Sequence, residues 1–190
     1  MSPDGLTARQ QRYRAALVAN IETHTGRPLK EWLGVARSCP ENAPRARLRW
    51  FKQTHGLGQN YAMYVLGEFD REQGKVVPAP RQLRERLWCE PGTLAILTAL
   101  EAATGRLPDV IAGQRKAYTA WSRAYAFAAA RPQRGQVRLG LALAPTASPR
   151  LQRAQHEGWS ERLRSTLLLT NPGDVDPAVC ALLRAAWDHS

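Results

Sequence analysis

Cysteine, histidine and methionine are all scarce in this chain. The three cysteines, Cys39, Cys89 and Cys180, are odd in number and far apart. That spacing excludes a disulfide framework and predicts reduced, structural thiols. The four histidines, His24, His55, His156 and His189, show no His-x-x-x-His spacing, and the cysteines no Cys-x-x-Cys, so no metal site is expected. A Walker loop and a Gly-x-Gly-x-x-Gly fingerprint are both missing, and no cofactor is expected. Ser160, Ser165 and Thr166 lack a nucleophile elbow, and His156-Glu157 is one His beside one Glu, too common to support a triad. Asp174 and Asp176 sit around a turn before a helix, where capping is their natural role. No catalytic residue is assigned. No apolar run approaches the ~20 residues that a membrane-spanning helix needs. The amino terminus has no charged-then-apolar signal pattern. A cytoplasmic protein without membrane contact is expected.

Positive charge is what the chain has in excess. It carries 27 Lys and Arg against 16 Asp and Glu, a net +11, within 190 residues of which 44% are hydrophobic. The apolar share suffices for a packed core. A basic surface favours a polyanion such as DNA or RNA. Only four of the cations are lysine, and arginine in an Ala- and Pro-rich chain also reflects coding bias. The charge is concentrated at one place, Arg45–Lys52, with Arg45, Arg47, Arg49 and Lys52 and no anion.

Periodicity predicts an α+β protein: a small N-terminal helical domain over residues 1–72, a linker over 73–80, and over 81–190 an antiparallel sheet packed with helices. Thr7 is placed to cap a first helix reaching Thr25, with Tyr13, Leu17 and Ile21 as its apolar stripe. Pro28 opens a second helix with Leu29, Trp32, Leu33 and Ala36. Asn42 is placed to cap a third, in which Leu48 and Phe51 face inward while Arg45, Arg49 and Lys52 line another face. A fourth helix follows Gly56-Leu57-Gly58. Beyond the linker, helices are expected from Pro80 or Arg81 to Cys89 and from Thr93 to Thr104. Strands are expected at 116–121, 124–128, 136–143 and 162–169, with Gly140 marking a bulge or close backbone approach. Asp176 caps a last helix that starts at Pro177 and buries Val179, Leu182, Leu183 and Trp187.

Three resemblances rest on these residues. Thr25-Gly26, the Trp32-bearing helix, Trp50 and the His55-Gly56-Leu57 turn resemble a small bacterial helical family, domain of unknown function 4287. Lys116-Ala117-Tyr118, Phe127 and the alanines after it, Val137 to Leu141 and the terminal Asp174–Trp187 segment resemble a companion family of unknown function, itself similar to YdhG-like domains with a small sheet packed on helices. Neither likeness implies a reaction. Gly56-Leu57-Gly58, with Ala62 four residues on and Val65 three further, resembles the hairpin of helix–hairpin–helix DNA-binding modules, although His55 stands where an apolar residue or proline is common.

Three functional readings follow. In the first, the chain is a non-enzymatic binder of DNA, RNA or another polyanion. Gly56 and Gly58 let the backbone approach a phosphate, the start of the fourth helix faces it, and Arg45, Arg49, Lys52 and Asn60 add contacts. The structural alternative for the same turn is that Gly56 ends one helix, Leu57 plugs the core and the next helix begins. In the second reading, aromatics of the C-terminal domain, Tyr118, Trp121, Tyr125 and Trp159, with Lys116 for an acidic group, line a small-molecule pocket. Strand alternation opposes a single cavity, because Tyr118 and Trp121 face opposite ways. An enzyme is the third reading, and no constellation supports it.

Overall fold

The structure is a computed structural model that describes residues 7–75, 78–155 and 157–190. His156 and the Val76-Val77 part of the expected linker lie outside the described residues. The described residues divide into two compact units, 10–75 and a second formed by 78–190 with Thr7, Ala8 and Arg9. Among the described residues, no helix is long and apolar enough to cross a membrane.

The N-terminal unit is four helices: α1 Ala8–Thr25, α2 Leu29–Arg37, α3 Pro44–His55 and α4 Gln59–Glu72. Ile21, Trp32, Ala36, Phe51, Leu57, Ala62 and Val65 form its core. The Trp32 indole N–H donates to Thr25 Oγ1 at 2.8 Å, so this buried ring satisfies its one polar atom. Two expectations fail locally. The α1 stripe is buried only at Ile21, and Tyr13 is 52% exposed, because only the end of α1 meets the other helices' core residues. Ala43, not Asn42, is the N-cap of α3, and no side chain caps that end. Pro44 at the first helical position has no amide, so that end has one fewer unpaired donor to satisfy.

The C-terminal unit is α+β, as its sequence predicts. Helices α5 Pro80–Leu87 and α6 Pro91–Thr104 precede strands β1 Ile111–Gln114, β2 Thr119–Ser122, β3 Ala126–Gln133, β4 Gln136–Leu141, β5 Gln152–Arg153 and β6 Ser165–Leu169, and α7 Pro177–Asp188 closes the chain. All neighbours in the sheet are antiparallel, in the order β1-β2-β3-β4-β6-β5. Helices α6 and α7 cover one face, where Ile96, Leu97 and Leu100 meet Leu139, Leu141, Leu169, Leu183 and Trp187. Asp176 caps α7 by accepting from the Val179 amide at 2.8 Å.

The sheet departs from the four expected strands in their number and in their ends: β3 starts at Ala126 rather than 124, β4 ends at Leu141 rather than 143, and β6 starts at Ser165 rather than Arg162. β1 and the two-residue β5 were not expected. Lys116 and Tyr118 belong to the β1–β2 turn, which Arg115 N–H closes on Tyr118 O at 2.8 Å, so that strand starts at Thr119 rather than Lys116. β3 runs on through Pro132 to Gln133. Proline is accommodated there because β2 pairs with β3 only as far as Ala130, so the missing amide faces no partner strand. Arg134 and Gly135, at φ 52° and 76°, make the two-residue turn into β4. The bulge lies between Trp121 and Ser122. Gly140 marks a close approach instead, by a side chain: a Cβ there would sit 2.6 Å from the Trp159 ring.

Candidate nucleic-acid interface

Gly56 ends α3 in the left-handed region at φ 65°, and the Leu57 amide reaches back to Phe51 O at 3.2 Å. This is a left-handed helix terminus that only glycine adopts without strain. Leu57 is then 4% exposed and plugs the core. Gly58, at φ −58° and ψ 147°, is the N-cap of α4 and offers no side-chain cap. The first helical bond is Ala62 N–H to Gly58 O at 2.9 Å, so the amides of Gln59, Asn60 and Tyr61 have no carbonyl within the helix. Neither packing nor φ requires glycine at 58, where a Cβ would meet nothing within 4 Å. The turn thus performs its structural role and leaves an open, bare backbone at the start of α4.

Helix α3 separates its cations. Arg47 turns inward with Phe51. Its side chain is 8% exposed, lies over the Phe69 ring at 4.8 Å and pairs with Asp70 at 3.2 Å. Burial pushes the Asp70 carboxyl up, but Lys75 and Arg47 outweigh it and hold the group below its ordinary range. Arg45, Arg49 and Lys52, at helical spacings of four and three, are exposed on the opposite side. Among the described residues no ion pair engages Arg45 or Arg49, and Lys52 Nζ reaches only Gln59 Oε1 at 3.4 Å. Asn60 is exposed in the first turn of α4. A cavity of about 440 Å³ opens beside it, lined by Gly58–Tyr61 and by Tyr13, Leu17, Asn20 and His24 of α1.

The aromatic candidates of the C-terminal unit do not converge. Trp121 is 1% exposed in the helix-side core. Tyr118 and Trp159 meet edge to face at 6.3 Å around the other side of the sheet. Tyr125 lies under the Arg162 guanidinium at 3.8 Å, and Lys116 is exposed in its turn. Only Tyr118 and Trp159 are brought together. Among the described residues no group of three His, Cys, Asp or Glu could hold a metal ion. Asp174 accepts from the Thr170 and Asn171 amides at 2.6 and 3.1 Å, and Asp176 from Val179 N–H and Arg150, all capping or turn contacts.

Two features escaped sequence reasoning. His55 packs against Trp50 at 4.5 Å, Trp32 at 6.1 Å and Phe51 at 6.0 Å, and its Nε2 is buried without a hydrogen-bond partner. Glu157 is held by Arg131 and Arg138, with a side chain only 5% exposed. Their positions gave a usable signal: residues 131 and 138 stand symmetrically about the 134–135 turn, so a tight hairpin centred there pairs them.

Residues 14–71 match the domain of unknown function DUF4287, and residues 90–190 match the domain of unknown function DUF5655. No curated protein and no solved structure matches the chain. The second match spans more than half of the sequence, and the chain belongs to the DUF5655 family.

Proposed function

We infer that the chain binds nucleic acid without catalysing a reaction, chiefly through backbone phosphates engaged by its N-terminal unit. One observation carries this reading: the exposed stripe of Arg45, Arg49 and Lys52 runs along α3 towards the uncapped start of α4. Unpaired amides at a helix start, at the positive end of its dipole, suit a phosphate oxygen. The bare Gly58 backbone admits close approach, and Asn60 adds a hydrogen-bonding side chain. The three cations would position a strand without reading its sequence. In this reading the turn, with Ala62 and Val65 behind it, is a helix–hairpin–helix-like element whose apolar flank is replaced by His55. The C-terminal unit is read as YdhG-like, and the setting as a bacterial cytoplasm.

The test is filter binding of the full chain to duplex and single-stranded DNA across a salt series. Binding at low salt should weaken steeply as salt rises. The triple substitution Arg45→Gln, Arg49→Gln, Lys52→Gln should flatten the log–log salt slope by roughly 2–3, close to one unit per lost phosphate contact. No binding at low salt to either form of DNA defeats the reading.

A further inference from the structure

The face of the sheet opposite α6 and α7 carries a second cluster of charge, in the other unit. Arg131 of β3 and Arg138 of β4 are direct cross-strand partners, and like charges so paired repel. Glu157 lies between them. Arg131 donates to the Glu157 carboxylate and, at 2.8 Å, to its backbone oxygen, and Arg138 Nη1 lies 3.2 Å from Glu157 Oε1. Gln133 Oε1 accepts from Arg138 Nε at 2.7 Å and fixes the plane of that guanidinium. One carboxylate therefore serves two rigidly held arginines. Beside them opens a basin of about 490 Å³ lined by Arg131, Arg138, Gln152, Arg153, Gln155 and Glu157. Three arginines against one glutamate leave this basin at +2. Arg153 is exposed and forms no ion pair among the described residues.

We propose that this basin is a binding site for a phosphate monoester dianion, with Glu157 as its resident competitor. A dianion matches the surplus charge, and guanidiniums bind phosphate oxygens through charge-assisted hydrogen bonds of the kind that Arg131 and Arg138 each make, through one nitrogen, to the Glu157 carboxylate. Gln152 and Gln155 supply neutral donors at the rim. Glu157 repels an incoming anion and also neutralises half of the arginine pair, so its charge weakens the site it organises.

Calorimetric titration of the full chain with inorganic phosphate tests this. Wild-type protein should bind at millimolar phosphate. Glu157→Gln should tighten binding by about tenfold or more, because a repelling charge a few ångströms away is removed. Arg153→Gln, at an exposed position whose loss should leave the fold intact, should weaken it several-fold. A 5′-mononucleotide should compete with phosphate, whereas a dinucleotide whose only phosphate is a diester should not. Circular dichroism checks that each variant folds. The proposal is overturned if wild-type protein binds no phosphate, if Arg153→Gln leaves binding unchanged, or if the diester competes as well as the monoester. Should Glu157→Gln fail to fold, the Arg153 arm and the competition arm still decide it. Neither arm touches the α3–α4 turn, so failure here is distinguishable from failure of DNA binding there.

Discussion

His55 puts an imidazole inside an aromatic cluster. Trp50, Trp32 and Phe51 surround the ring, and Nε2 reaches no partner. A buried polar atom left unsatisfied costs about 1–3 kcal/mol. His55→Phe removes that cost and keeps the ring, so the urea midpoint should rise, with a gain of about 1 kcal/mol. A drop in stability would show that Nε2 has a partner in solution. Arg47 is the reverse case, a charged residue buried with its needs met by Asp70 and the Phe69 face. In the sequence it is one of four cations in a basic run. Only the helical register, which sets it one turn before Phe51, separates it from the exposed three.

Trp159 and β4 are matched as a knob and a flat. The ring lies so close to Gly140 that an added methyl would come within 2.6 Å of it. Gly140→Ala should displace the indole and cost about 1–3 kcal/mol by overpacking. Trp159→Ala in the same chain should cancel most of that loss, so a double-mutant cycle by urea denaturation should be clearly non-additive. Additive costs would mean that the ring steps aside freely. Gly140 was legible because a glycine within a strand pattern signals a close neighbour. What approached it was not, because Trp159 lies on a loop whose path no local rule sets. The same contrast runs through the elements. Helices were readable from periodicity and from Pro28, Pro44 and Asp176 at their starts. β1 was missed because Ile111-Ala-Gly-Gln114 is short, interrupted by glycine and followed by two cations. The strand expected over 124–128 falls short of Gln133 because Pro132 reads as part of a turn, although pairing on one side tolerates it. The site followed suit: the stripe on α3 and the glycine turn are local patterns, whereas the Glu157 cluster exists only after β3 and β4 pair.

Both units draw on carboxylates held below their ordinary range. In the first, Asp70 is pushed up by burial and pulled further down by Lys75 and Arg47. In the second, the Thr170 amide lowers Asp174 and the Val179 amide lowers Asp176. A folded pKa below the unfolded value gives stability that is complete above the unfolded value, near 4, and is lost as pH falls through the folded one. Thermal unfolding should therefore be nearly level from pH 7 to about 5 and fall progressively below about pH 4. A profile level to pH 3 would contradict it. Within the C-terminal unit, the strand order has a kinetic corollary. β1 to β4 pair with successive neighbours, so each joins the sheet as soon as its own turn closes. β6 sits against β4 only after residues 142–164 have been looped back. Closing that longer loop costs chain entropy before any contact repays it. The meander is thus the natural nucleus, and the β5–β6 flank, which carries Arg153 to the anion basin, is the last part of the sheet to assemble.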